Sequence, residues 1–133
     1  MPATDSRTSI TEVATTMIPV SDQDAAVKFY TETLGFEKTT DVAFGEGDRW
    51  VEVSPPGAAT SIALTLPRSD EWTPGRMTGI GLNSTDIDAD HAALLERGVD
   101  VDPEVGRFGG PVPPMFWLRD PDGNALIVVE PTQ

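Results

Sequence analysis

The chain has 133 residues, 38% hydrophobic and 23% charged, a balance that fits one globular domain with a single core and excludes a disordered or fibrous chain. It has no cysteine, which excludes disulfides and thiolate chemistry, and no run near the ~18 apolar residues needed to span a bilayer. The formal net charge of −13 repels phosphate backbones and anionic lipids, so neither nucleic acid nor a membrane is expected as a partner, and a cationic ligand is favoured.

The N-terminal "MPATDSRTS" is polar and lacks the apolar stretch of a secretory signal, which predicts a flexible tail over residues 1–9 and a cytoplasmic location. "EVATTMIPV" (12–20) is apolar and β-branched, as a strand should be. Ser21 and Asp24 have the spacing of a capping box, and Ala26, Phe29, Tyr30, Thr33 and Leu34 then form one helical stripe ending at Gly35. "FEKTTDVAF", "RWVEVSP" and "TSIALTLP" read as three strands separated by Gly- and Pro-containing turns.

After the polar stretch "LPRSDEWTPGRM" the same plan returns. "MTGIGLNS" is a strand, Thr85 and Asp88 repeat the capping spacing, and Ile87, Leu94 and Leu95 form a stripe before Gly98. "VDVDPEV", "MFWLR" and "ALIVVEP" supply three more strands, with "DPDGN" as a tight turn. Asp22–Ala25 recurs as Asp86–Ala89, and Ile62–Pro67 recurs as Leu126–Pro131 at the same spacing, so the repeat holds helix caps and strands in register. The expected fold is α+β: two βαβββ modules in tandem, with mixed curved sheets forming a partial barrel around a cavity. The expected organisation is one domain over 10–132, made of modules 10–67 and 77–132 joined by a linker at 68–76.

Several motifs fail on inspection. Asp86, Asp88 and Asp90 open like a calcium loop, but His91 replaces the required glycine and Arg97 the closing glutamate. "GIGLNS" lacks the third glycine of a dinucleotide fingerprint. His91 is the only histidine, so zinc or iron sites needing two imidazoles cannot form, and its place on the helical stripe predicts packing against the sheet.

"VSDQDAAVKFYTETLGFE", "STDIDADHAALLERGVDV" and "LRDPDGN", which together span most of residues 12–131, resemble the vicinal oxygen chelate superfamily of glyoxalases, extradiol dioxygenases and bleomycin resistance proteins. The resemblance implies four metal-ligand positions, which fall at Thr15, Ala63, Gly79 and Ile127. None of these carries an effective ligand, so no metal and no cofactor are expected. It also implies a homodimer and a ligand cavity facing those positions. Candidate ligand-binding residues are Met17, Trp50, Glu52, Asn83, Phe108, Met115 and Trp117, with Thr15, Pro19, Thr65, Gly81 and Val129 of matching parity. Trp50 and Glu52 alternate on one strand; facing inward they offer a stacking plate and an anionic anchor, and facing outward a dimer seam. The leading expectation is a metal-free, drug-sequestering protein of the bleomycin-resistance type that binds a cationic or aromatic molecule. The alternatives are a glyoxalase- or dioxygenase-like enzyme, a metal-independent isomerase or lyase with Glu52 as its only candidate base, and a dimer without a ligand.

Overall fold

The computed structural model describes residues 8–131, so part of the expected tail at 1–9 lies outside it. The first module comprises β1 (Thr15–Pro19), α1 (Gln23–Lys28), β2 (Glu37–Phe44), β3 (Asp48–Ser54) and β4 (Ser61–Thr65). The second comprises β5 (Met77–Asn83), α2 (Ile87–Glu96), β6 (Asp100–Val101), β7 (Met115–Arg119) and β8 (Ala125–Val129). The sheets run β1-β4-β3-β2 and β5-β8-β7-β6, and in each the first strand is parallel to its neighbour and the rest are antiparallel. This is the tandem α+β plan read from the repeat, with the two sheets left open rather than closed into a barrel.

Both helix starts differ from expectation by one residue. Asp22, not Ser21, caps α1 through a 3.0 Å bond from the Ala25 N–H, and Asp86, not Thr85, caps α2 through the Ala89 N–H. Ser21 is occupied elsewhere: its N–H and hydroxyl both donate to the Asp122 carboxylate of the other module. The first stripe is not one continuous α-helix either. After Lys28 the backbone widens into a π-helical turn, Phe29–Thr33, where Leu34 N–H reaches Phe29 O. The widening coincides with Tyr30, which is fully buried and donates its hydroxyl to Asp120 at 2.9 Å.

The core lies between the helices and one face of each sheet. Ile18, Val53, Ile62 and Leu64 supply the first module's share, and Phe116, Leu118, Leu126 and Val128 the second's. On α2 the buried stripe is Ile87, His91 and Leu94, whereas Leu95 is 49% exposed and not part of it. The opposite sheet faces carry no helix. Apolar side chains stand exposed there, Met17 at 49%, Val42 at 53% and Phe44 at 41%.

The β7–β8 turn fastens the modules together. Asn124, fully buried, donates from its side chain to Pro19 O at 2.8 Å and to Asp120 at 3.0 Å, and accepts from the Gly75 and Arg76 N–H groups. Gly123 makes the turn possible with φ of 85°.

Candidate functional site

The uncovered faces hold most of the residues singled out in the sequence. In the first sheet Met17, Ala63 and Glu52 lie in one row across β1, β4 and β3. Trp50, two residues before Glu52, shares that face because side chains alternate along a strand. The Trp50 indole N–H donates to one Glu52 carboxylate oxygen at 2.6 Å, and the Ser61 hydroxyl donates to the other. A carboxylate that accepts at both oxygens holds the indole edge in place.

In the second sheet Gly81, Ile127 and Trp117 form one row, and Asn83, Val129 and Met115 the next. Asn83, Met115 and Trp117 therefore share a face, and Trp117 occupies the place in its sheet that Glu52 occupies in the first. Phe108 lies on the loop before β7, 68% exposed, with its ring over Gly106, where a Cβ would come within 3.1 Å. The structure thus gathers six of the seven candidates into two groups, one on each sheet, with Phe108 apart. Of the matching-parity residues, Pro19 is fully buried.

Trp72 was missed because it stands in a polar, Pro- and Gly-containing segment that reads as a connection. Its indole N–H donates to Thr65 at 3.1 Å, and the Arg76 guanidinium lies 4.7 Å over its ring. Arg68, also in this segment, stacks 5.6 Å from the Phe44 ring. The signal for both was a tryptophan and two arginines in a stretch that a mere connection would not need.

The donor set does not suit a metal. Among the described residues no three His, Cys, Asp or Glu side chains come together as a metal site would require. Thr15, Ala63, Gly79 and Ile127 offer no strong ligand among them. His91 is buried on α2, with Nε2 2.7 Å from Asp102 O and its ring edge-on to Phe116 at 4.9 Å, as a packing residue.

Charge pairs flank the sheets. Arg49 pairs with Asp41 and Asp24, and hydrogen bonds from Arg49 and Lys38 hold the Asp41 carboxyl well below the ordinary range. Burial works to raise the Asp102 pKa, but the Arg119 guanidinium and the Trp117 N–H outweigh it and the net shift is downward. A cavity of about 730 Å³ lies away from the open faces, between the modules, and Asn83 is the one candidate among the seven that lines it. No helix among the described residues is long and apolar enough to cross a membrane.

The comparisons agree with this architecture. The family model for the Glyoxalase/Bleomycin resistance protein/Dioxygenase superfamily matches residues 12–128. The crystal structure of TnmS3, an antibiotic binding protein from Streptomyces sp. CB03234, is 39% identical and covers 95% of this chain and 100% of its own, with a TM-score of 0.81. A superfamily member from Sphaerobacter thermophilus is 40% identical, covers 91% and 98%, and gives a TM-score of 0.83. YurT of Bacillus subtilis is 30% identical, with 90% of this chain and 98% of YurT covered. This chain therefore belongs to the Glyoxalase/Bleomycin resistance protein/Dioxygenase superfamily.

Proposed function

We propose that the protein binds a planar aromatic small molecule on its open sheet faces without a metal, sequestering it rather than transforming it. One observation carries the reading: Trp50 stands on an uncovered face with its indole edge fixed by the Glu52 carboxylate, which Ser61 holds in turn. A ring immobilised in this way gives a ligand a flat partner with little conformational entropy left to lose. The net charge of −13 adds attraction for a cationic ligand. The likeness to an antibiotic binding protein at 39% identity supports a binding role. The metal-independent lyase or isomerase reading needs Glu52 as a free base, and the engagement of both its oxygens weighs against that.

Each open face is half a container. A second copy covering Met17, Val42 and Phe44 would close it and bury these exposed side chains, so the reading includes a homodimer. It also treats residues 10–132 as one domain with 68–76 as a connecting segment.

The test is quenching of tryptophan fluorescence by proflavine, a cationic planar dye, with metal analysis and sedimentation on the same preparation. Saturable quenching with less than one metal per five chains, lost on Trp50→Ala, is the expected result. One tightly held metal per chain, or quenching unchanged in the variant, would overturn the reading.

A further inference from the structure

The tandem repeat makes two junctions between the modules, and they are built differently. In one, Tyr30 and Asn124 fill the space with a buried polar network. In the other the repeat puts Leu94 in the place of Tyr30, Ala93 in that of Phe29, Thr60 in that of Asn124 and Ala58 in that of Asp122. Leu94, Ala93 and Ala58 are smaller and carry no hydrogen-bonding side chain, and Thr60 spans only to Val13 O within its own module. The result is a crevice of about 730 Å³ between the 55–60 turn on one side and β5 and α2 on the other.

Its lining is apolar at the base, from Phe36, Ile62, Ile80, Leu82 and Leu94. The two charged lining residues are of opposite sign, and each also makes a hydrogen bond, Asp90 with the Ser84 hydroxyl and Arg97 with Thr33 O, so the crevice lining carries no net charge. Thr16 also lines the crevice, and its hydroxyl is the one buried side-chain polar atom among the described residues without a hydrogen-bond partner. In the other junction the structure spends Asn124 and Asp120 on such partners.

We propose that this inter-module crevice is a second binding site, separate from the open faces, for a neutral, largely apolar molecule that offers one hydrogen-bonding group to the Thr16 hydroxyl. The volume falls in the range that encloses drug-sized ligands. Bound there, such a molecule would complete the junction that the sequence leaves underfilled, and so would tighten one module against the other. The site does not depend on the aromatic plate at Trp50.

The probe is N-phenyl-1-naphthylamine, which is neutral, apolar and carries one N–H. Its fluorescence titration is compared in the wild type, Ala93→Phe, which copies onto α2 the ring α1 carries at Phe29, Thr16→Val and Trp50→Ala. One saturable site per chain is expected, at least tenfold weaker in Ala93→Phe, several-fold weaker in Thr16→Val and unchanged in Trp50→Ala. Methyl resonances give a check that needs no variant: probe-induced shifts should centre on Ile80, Leu82 and Leu94, not on Met17. No saturable binding to the wild type, undiminished binding to a folded Ala93→Phe, or shifts centred on Met17 would each overturn the proposal. Loss of naphthylamine binding in Trp50→Ala alone would place the probe on the open face, sinking this inference while leaving the proposed function standing; absence of proflavine quenching in the wild type, with the naphthylamine site intact, would do the reverse.

Discussion

Glu52 shows how a charged residue can act through a neighbour. Its two oxygens receive the Trp50 indole and the Ser61 hydroxyl, so its removal should release the ring. Hydrogen bonds to a charged group are worth about 1.5 kcal/mol or more, so Glu52→Ala should weaken proflavine binding roughly tenfold. Glu52→Gln can still accept from the indole and donate to Ser61, and should restore most of the affinity if positioning matters more than charge. Equal losses in the two variants, measured by quenching titration, would instead make the charge itself the active feature. Tyr30, the only tyrosine, supports a cleaner test. Burial pushes its hydroxyl far above the usual tyrosine range, with the Asp120 charge adding to the effect. A raised pKa means that the native state keeps its proton while the unfolded chain ionises near pH 10, so this contribution to stability is complete below about pH 10 and is lost above it. Phenolate absorbance should therefore appear only together with unfolding. Tyr30→Phe should cost about 1–3 kcal/mol at neutral pH and flatten the alkaline loss. A phenolate signal rising near pH 10 in a chain that is still folded would contradict this account.

Among the elements, the β7–β8 turn has the clearest double role. Sequence reading recognised Asp120–Asn124 as a turn from Pro121 and Gly123, because turn chemistry is local. The same reading could not see that Asn124 reaches Pro19 O, 105 residues away, because no short-range pattern encodes such a partner. Asn124→Ala would strand the Pro19 carbonyl and two backbone N–H groups, at a cost of roughly 3 kcal/mol in a urea melt, and a loss under 1 kcal/mol would contradict the assigned role. The helix caps failed in the same way. Ser21 suits an N-cap by type, yet Asp122 claims it from the other module, and Asp22 takes over the cap. Most strands were legible because apolar alternation is intrinsic to each segment, but the strand expected over 99–105 is reduced to Asp100–Val101. The π-turn at Phe29–Thr33 was not, since the stripe reads the same for either helix.

At the scale of the molecule the internal repeat disclosed the architecture, since two copies of one pattern imply two copies of one module. Comparison with the structure then shows where the copies diverged. Glu52 and Trp117 occupy matching places on the open faces, one anchoring an aromatic ring and the other supplying one. The alternation that put Trp50 and Glu52 on one face was readable, whereas the contribution of Trp72 and the crevice beside Leu94 depended on how the modules meet. Composition had little to say about that meeting, because a net charge constrains partners and not packing.

The polar junction also sets an order of events for a chain emerging from the ribosome. The Tyr30 hydroxyl and the Pro19 carbonyl belong to the first module, yet their partners Asp120 and Asn124 are made 90 and 105 residues later. Until those residues emerge, the first module carries polar groups that only the finished second module can satisfy. Contacts this distant in sequence slow folding, because a long loop must close before they return any stability. Nascent chains stalled before residue 120 should therefore remain open to protease at α1, and protection should arrive abruptly once the turn has left the exit tunnel.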